Sequence, residues 1–331
     1  MREVIAFPEL RPANAISQEP LPKAAPAPRF ALVLGSGGVR SIAALGLFEV
    51  LLQEGLVPDL IVGCSAGAMF GALIACGHGA QEAVAIAARL WSPEVTRGRR
   101  WQAVPQMLMP RLCGFDEDFG LRDDSLVMQR LRQAFGDTRI EELRTPLRVV
   151  ATDTATSGCV SLSQGSLVQA LRASIALPFL FSPVTIDGRR LMDGFVSNPL
   201  PVDVAGDTRV VVALGFDAPM PRRIDGPSRL LGRVTSAMTN NLMHASLNAA
   251  RASGMNLISI IPTMEQRVGL FDTEAMPYLV ELGRRVAMQN LDQIRSQLEA
   301  AQGVDERLVA RQVGGLRDVG VGFNDSYRAR G

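Results

Sequence analysis

Residues 60–77 read LIVGCSAGAMFGALIACG, eighteen positions without a charged side chain. A run of this kind belongs either to a membrane span or to the interior of a folded domain. A transmembrane helix takes roughly 20 predominantly apolar residues, so length leaves both readings standing and composition has to decide. From Ala66 to Cys76 six residues are Ala or Gly, large aliphatic side chains are few, and Asp59 and His78 close off the ends. Such a segment is weakly hydrophobic toward lipid. It divides more naturally into a short β-branched strand ending at Val62, the turn GCSAG at 63–67, and a helix of small residues.

That turn has the form GxSxG. A strand gives way to a helix so abruptly that the central serine, here Ser65, is held in a strained conformation with its hydroxyl above the sheet edge. Gly63 and Gly67 are expected where the turn brings the flanking residues together and side chains would collide. The following helix sets its positive N-terminal end beneath the nucleophile. Because Gly, Ser and Ala are common, the pattern needs partners elsewhere in the chain.

Upstream, a strand at Phe30–Leu34 runs into LGSGGVR at 34–40, which opens a helix. A glycine-rich loop there offers unobstructed N–H groups, suited to a phosphate or an oxyanion. Dinucleotide binding fits poorly. With Gly35 and Gly37 in register the third glycine of GxGxxG falls on Arg40, and no acidic residue ends a second strand at the distance a ribose requires. GK[ST] is also absent. With a serine elbow one strand and helix later, the N–H groups of Gly37 and Gly38 read better as an oxyanion hole.

A serine hydroxyl is inert at its ordinary pKa and needs a base within hydrogen-bond reach. The chain has two histidines. His78 falls at the far end of the elbow helix from Ser65, and His244 lies in the helical context NNLMHASLN rather than in a loop. The better base is a carboxylate: RRLMDGFVSNPLP at 189–201 sets Asp193 at the end of a strand, before Gly194. A carboxylate is a weak base unless partly desolvated, and its titration is expected below the histidine range.

The whole chain, 331 residues with 47% hydrophobic side chains and a net charge of +1, has a globular composition and lacks the basic footprint of a nucleic-acid binder. Its cluster RGRR at 97–100 reads as a solvated loop. Cys64, Cys76, Cys113 and Cys159 show neither CxxC spacing nor a histidine at metal-ligand range, so no metal is expected and the thiols read as reduced and mostly buried. The stretch before Phe30 has only VIAF as an apolar run, too short for a signal-peptide core. The cytoplasm is the expected location. Residues 1–28 read as a disordered Pro/Ala-rich leader, 29–299 as one domain, and 300–331 as a C-terminal tail.

Hydrophobic periodicity adds helices at 41–54, 66–76, 81–90, 125–135, 167–175 and around 228–252, and strands near 59–62, 147–152, 159–162, 184–186, 190–192, 209–214 and 257–261. Leu279, Leu282, Val286, Leu291, Ile294 and Leu298 recur at helical spacing in a last helix over 277–298. The alternation of strands and helices implies an α/β fold with a mainly parallel sheet covered on both faces.

Loop, elbow and DG segment, in that order, resemble the patatin-like phospholipase family, most of all its small bacterial cytoplasmic members. The resemblance covers roughly 29–217 and includes ATD at 151–153, RASIALPFLFSP at 172–183 and NP at 198–199. It implies a patatin-like three-layer sandwich in which Ser65 is the nucleophile and Asp193 its only catalytic partner. It also implies that the backbone of Gly37 and Gly38 forms the oxyanion hole, with Gly35 and Arg40 supporting the loop, and that no cofactor or metal is used. Two positions depart from the family pattern, Ser41 where glycine is usual and Phe195 where glycine or alanine follows DG. Neither is expected to touch the reacting groups, and Phe195 bears on acyl-chain preference.

Between Trp91 and Gly120, Trp91, Trp101, Met107, Met109, Phe115 and Phe119 alternate with prolines and with Arg97, Arg99, Arg100 and Arg111. The stretch is expected to be a cap-like insertion packed over the sheet, with peripheral contact to lipid at the inner membrane face as the second reading. The expected activity is a serine acyl hydrolase cleaving lipid carboxylic esters, phospholipase A or lysophospholipase-like. Two alternatives stand beside it: an α/β-hydrolase esterase with Ser65, Asp193 and His244 as triad, and a non-catalytic lipid-binding regulator. The expected partner is the lipid or acyl-ester substrate, with no nucleic acid.

Overall fold

The computed structural model describes residues 27–317 except 93, 95–99, 102 and 222. Most of the expected leader, and Arg97 and Arg99 of the basic cluster, lie outside them. In chain order the elements are β1 (Phe30–Leu34), α1 (Ala43–Gln53), β2 (Leu60–Cys64), α2 (Ala66–Ala75), α3 (Ala80–Leu90), α4 (Ala103–Leu108), α5 (Ser125–Phe135), β3 (Leu147–Asp153), β4 (Cys159–Leu162), α6 (Leu167–Ser174), β5 (Val184–Ile186), β6 (Arg189–Asp193), β7 (Val210–Leu214), α7 (Pro227–Ala252), β8 (Leu257–Ile260) and α8 (Met276–Arg317).

All eight strands form one sheet in the order β5-β6-β3-β2-β1-β7-β8, with β4 also on β3. The pairs β1/β2, β1/β7, β2/β3 and β7/β8 are parallel, whereas β4, β5 and β6 pair antiparallel. The central strands FALVL, LIVGC and VVVAL are buried at every position, as parallel strands covered on both faces must be. Phe30, Leu32, Leu34 and Ile61 join the core made with α1, α2, α3, α5, α6 and α8. Their alternates Ala31, Val33, Leu60 and Val62 pack against Met243, Leu247 and Ala250 of α7. The result is a three-layer α/β sandwich.

The uncharged run at 60–77 is β2 followed by α2, and all ten residues of α2 are buried. A helix that is apolar all round is at home in a protein core as much as in lipid. Among the described residues no helix is long and apolar enough to cross a membrane.

Several boundaries differ from those expected. The helix expected at Ser41 begins as a 3-10 turn, Gly38–Ile42, and becomes α-helical only at Ala43. The 91–120 stretch, to which periodicity assigns no helix, contains α4. The boundary expected after 299 falls inside α8, which continues through Arg317. Of the four cysteines only Cys64 is buried; Cys159, the first residue of β4 on the flank of the sheet, is exposed.

Register sets the site. On β3, Val149 and Val150 pair with both β2 and β4, and Ala151 and Thr152 pair with both β4 and β6. A strand has two hydrogen-bonding edges, so β2 and β6 share the edge opposite β4. Cys64 stands against Val150 and Asp193 against Ala151, which brings the end of β2 and the end of β6 together.

Candidate active site

Ser65, between β2 and α2, has φ 56° and ψ −129°. A residue with a Cβ enters that region at a cost on the order of 1–3 kcal/mol, so its surroundings must hold it there. The Ser65 N–H donates to Ser174 Oγ at 2.8 Å, and Ser174 Oγ donates to Val150 O at 2.6 Å. A Cβ on Gly63 would lie 2.4 Å from Ala68 Cα, and one on Gly67 2.4 Å from Leu34 O and 2.5 Å from Gly35 O. Gly63 is therefore required by the turn itself. Gly67 is required by something else, the close approach of the loop after β1, rather than by collision across the turn.

Ser65 Oγ donates to Asp193 Oδ2 at 2.7 Å. The carboxylate is fully buried, and its Oδ1 accepts the Phe195 N–H at 3.0 Å. Its own N–H donates to Ala176 O at 2.9 Å, and its carbonyl accepts Thr152 Oγ1 at 2.9 Å. Burial pushes the Asp193 carboxyl up to about 7, against the opposing pull of the hydrogen bonds from Phe195 and Ser65. This places its titration in the histidine range rather than below it, because desolvation here is complete rather than partial. Phe195 also departs from expectation: its backbone does touch the carboxylate, while its side chain packs among the residues between the sheet and α7.

In the loop after β1, Gly35, Ser36 and Val39 donate their N–H groups to Leu214 O, Pro199 O and Leu270 O at 2.9, 2.8 and 2.9 Å. Those of Gly37 and Gly38, between them, have no acceptor among the described residues. Gly38 has φ 60°, and a Cβ there would come 2.6 Å from Leu270 O. The buried Arg40 binds the loop from below, through Nε to Gly37 O at 3.0 Å and Nη1 to Asp217 O at 2.6 Å. Burial draws its guanidinium down to about 10, with Asp217 opposing. Ser41 Oγ donates to Gly35 O at 3.0 Å, so the residue standing in place of the usual glycine is part of the loop's scaffold.

Neither imidazole hydrogen-bonds Ser65 or Asp193. His244 Nε2 pairs with Asp217 Oδ1 at 3.1 Å, and His78 Nδ1 with Glu82 Oε2 at 3.1 Å. Among the described residues no group of three or more His, Cys, Asp or Glu side chains could hold a metal ion.

The 91–120 stretch does not behave as one unit. Trp91 is buried, stacks on Phe271 with centroids 5.6 Å apart and donates to Leu270 O. Phe119 is buried as well, but Trp101 is 78% exposed and Leu108 75%, with Met107, Met109 and Leu112 also exposed. Trp91 thus backs the Leu270 carbonyl that meets the glycine loop, which its sequence position did not reveal. Ser174 is the other residue whose part was missed. It falls within RASIALPFLFSP at 172–183, but its partner is 109 positions away.

The patatin-like phospholipase family model matches residues 32–205. An NTE family protein of Mycobacterium tuberculosis, described as uncharacterised, is 31% identical over 223 residues, 66% of this chain and 57% of the relative. Rat patatin-like phospholipase domain-containing protein 7 is 32% identical over 189 residues, 56% of this chain and 13% of the relative. The chain thus spans little more than half of the first of these and a small part of the second. Among solved structures, VipD from Legionella pneumophila aligns over 81% of this chain and 67% of its own, with a TM-score of 0.45 and 16% identity. The family match covers more than half of the chain, from β1 through the turn beyond Asp193, and includes the glycine loop, the serine elbow and the buried carboxylate: the chain belongs to the patatin-like phospholipase family.

Proposed function

We propose that this chain is a lipid acyl hydrolase of the phospholipase A or lysophospholipase kind, working through Ser65 and Asp193. The observation that carries the reading is the 2.7 Å hydrogen bond from Ser65 Oγ to the buried Asp193 carboxylate, made with the serine already in the strained conformation of a nucleophile elbow. Asp193 takes the hydroxyl proton as Ser65 attacks the acyl carbonyl. The oxyanion settles on the N–H groups of Gly37 and Gly38, whose direction is set by Arg40. Asp193 passes that proton to the departing alkoxide oxygen, which leaves as the alcohol of the lyso-lipid or glycerophosphoester; the carboxylate so freed takes a proton from the water that attacks the acyl-enzyme and returns it to Ser65 Oγ as the fatty acid is released.

The family and relatives named above support the lipid substrate class. A fluorophosphonate probe should label the protein at Ser65, and mass spectrometry of a mixed lipid extract should show fatty acid and lyso-lipid accumulating with it but not with Ser65→Ala. Absence of labelling in folded protein would point instead to a lipid-binding regulator.

A further inference from the structure

The chain carries a second exposed apolar surface, away from the 91–120 stretch. In α7 the side chains buried against the sheet are Met243, Leu247 and Ala250, all in its C-terminal part. Met243 Sδ lies beside Gly215, immediately past the end of β7. The segment from Pro227 to Leu242, about 24 Å long at 1.5 Å per residue, buries no side chain against the sheet and runs on past its carboxyl edge, bonded at Ser236 and Asn240 to the Ala218–Pro219 backbone that leaves β7. On this projecting part Leu230, Leu231, Val234 and Met238 are 51%, 59%, 47% and 66% exposed. Their spacing of i, i+1, i+4 and i+8 gathers them within about 100° of arc.

The Ser65 site opens at the same edge. So does the Trp101–Phe115 stretch, because Glu117 and Asp118, which follow it, are bound by Arg190. Arg190 in turn accepts the Thr154 N–H at its carbonyl, just past the end of β3. Two apolar projections thus rise from one edge, α7 on the β7 side and 101–115 on the β6 side.

Charge selects the occupant. Among the described residues between Ala218 and Met243 there are three arginines, Arg223, Arg229 and Arg233, against the single acid Asp225, which pairs with Arg229 at 2.7 Å. A second copy of this face would oppose like charges, whereas an anionic lipid surface complements them. We propose that the projecting half of α7 docks on an anionic bilayer, its apolar arc entering the headgroup and acyl boundary, and that it holds the sheet edge with Ser65 toward the membrane. This rests on the lipid-hydrolase reading for its purpose but not for its test.

The test uses full-length Ser65→Ala protein and vesicles of phosphatidylcholine alone or of equimolar phosphatidylcholine and phosphatidylglycerol, so that binding is read without turnover. Flotation should recover the protein with the anionic vesicles, and added salt should weaken the association. Changing Leu230, Leu231, Val234 and Met238 together to Ser should lower binding on the order of tenfold or more. The same four changes in Ser65-containing protein should leave cleavage of a short soluble ester unaltered, which also reports that the variant is folded. Equal vesicle binding by the four-site variant would overturn the proposal. So would a dimer in gel filtration that the four changes convert to monomer without loss of vesicle binding, since α7 would then be a contact between copies. Vesicle binding by a protein that cleaves no ester would sink the hydrolase reading and leave this one standing.

Discussion

Ser174 Oγ lies between two backbone groups, accepting the Ser65 N–H at 2.8 Å and donating to Val150 O at 2.6 Å. It links the elbow to β3 at the point where the serine's conformation is most strained. Ser174→Ala leaves a buried N–H unsatisfied, which costs about 1–3 kcal/mol, and frees the elbow to relax. The expected result is a lower Tm together with a fall in kcat larger than any change in KM. Ser174→Thr, which keeps the hydroxyl, should restore part of both.

Asp193→Asn separates catalysis from stability. Removing the proposed base should lower kcat on the order of 100-fold or more, and His244→Ala should do little, since that imidazole is paired with Asp217 at the surface. An activity limb near 7 cannot by itself distinguish this carboxylate from a histidine, so the two variants must be compared directly.

The raised Asp193 pKa also fixes a sign. A carboxyl that titrates at about 7 when folded, and near 3.9 when unfolded, binds its proton more tightly in the native state. Its burial is therefore tolerated fully below the unfolded value, and stability is lost as pH rises toward 7. At pH 8 Asp193→Asn should be more stable than the parent, by on the order of a few kcal/mol. At pH 4 the two should differ little. Urea melts at both pH values check this, and equal melts at pH 8 would show that the carboxylate is not destabilised by its site.

Helices α1 and α8 cross through two glycines. A Cβ on Gly46 would fall 1.9 Å from Val280 O, and one on Gly283 1.9 Å from Ala43 O. Both obstacles are backbone atoms, so the helices would have to part. Gly46→Ala or Gly283→Ala should each destabilise by about 1–3 kcal/mol or more, despite the better helix propensity of alanine. The measurement is the denaturation midpoint.

Trp101, at 78% exposure, has little packing to lose, and Trp101→Ala should leave stability within about 0.5 kcal/mol. It should still reduce hydrolysis of aggregated phospholipid more than that of a short soluble ester. Equal losses on both substrates would assign Trp101 no contact with lipid.

The elements that periodicity and turn chemistry encode locally were legible. Strand 30–34, helix 125–135 and strand 159–162 fall where their sequences place them, and Asp193 ends a strand as RRLMDG suggests. What depends on contact between distant segments was not. Gly46 and Gly283 look like weak points of their helices until the crossing is seen, and nothing around Gly67 indicates that its obstacle is the carbonyl of Leu34. Solvation was similarly hidden. Sequence can nominate Asp193 as a base, but whether its desolvation is partial or complete depends on the layers packed around it. The 91–120 stretch divided for the same reason, because aromatic composition does not say which ring finds a neighbour.

The serine and its carboxylate partner are carried by strands that meet end to end on a common neighbour, and the second of these pairs with that neighbour over only three residues, Ala151 with Asp193, Thr152 with Met192 and Asp153 with Leu191. Ser65 and Asp193 are 128 positions apart in the sequence. If Asp193 is the base, as proposed, a growing polypeptide exposes its elbow well before that base, and it is expected to be inert until the β5–β6 hairpin has joined. The reverse holds on unfolding: detachment of one short hairpin disconnects the pair while the parallel strands remain intact. Esterase activity should consequently disappear at a lower urea concentration than far-ultraviolet ellipticity.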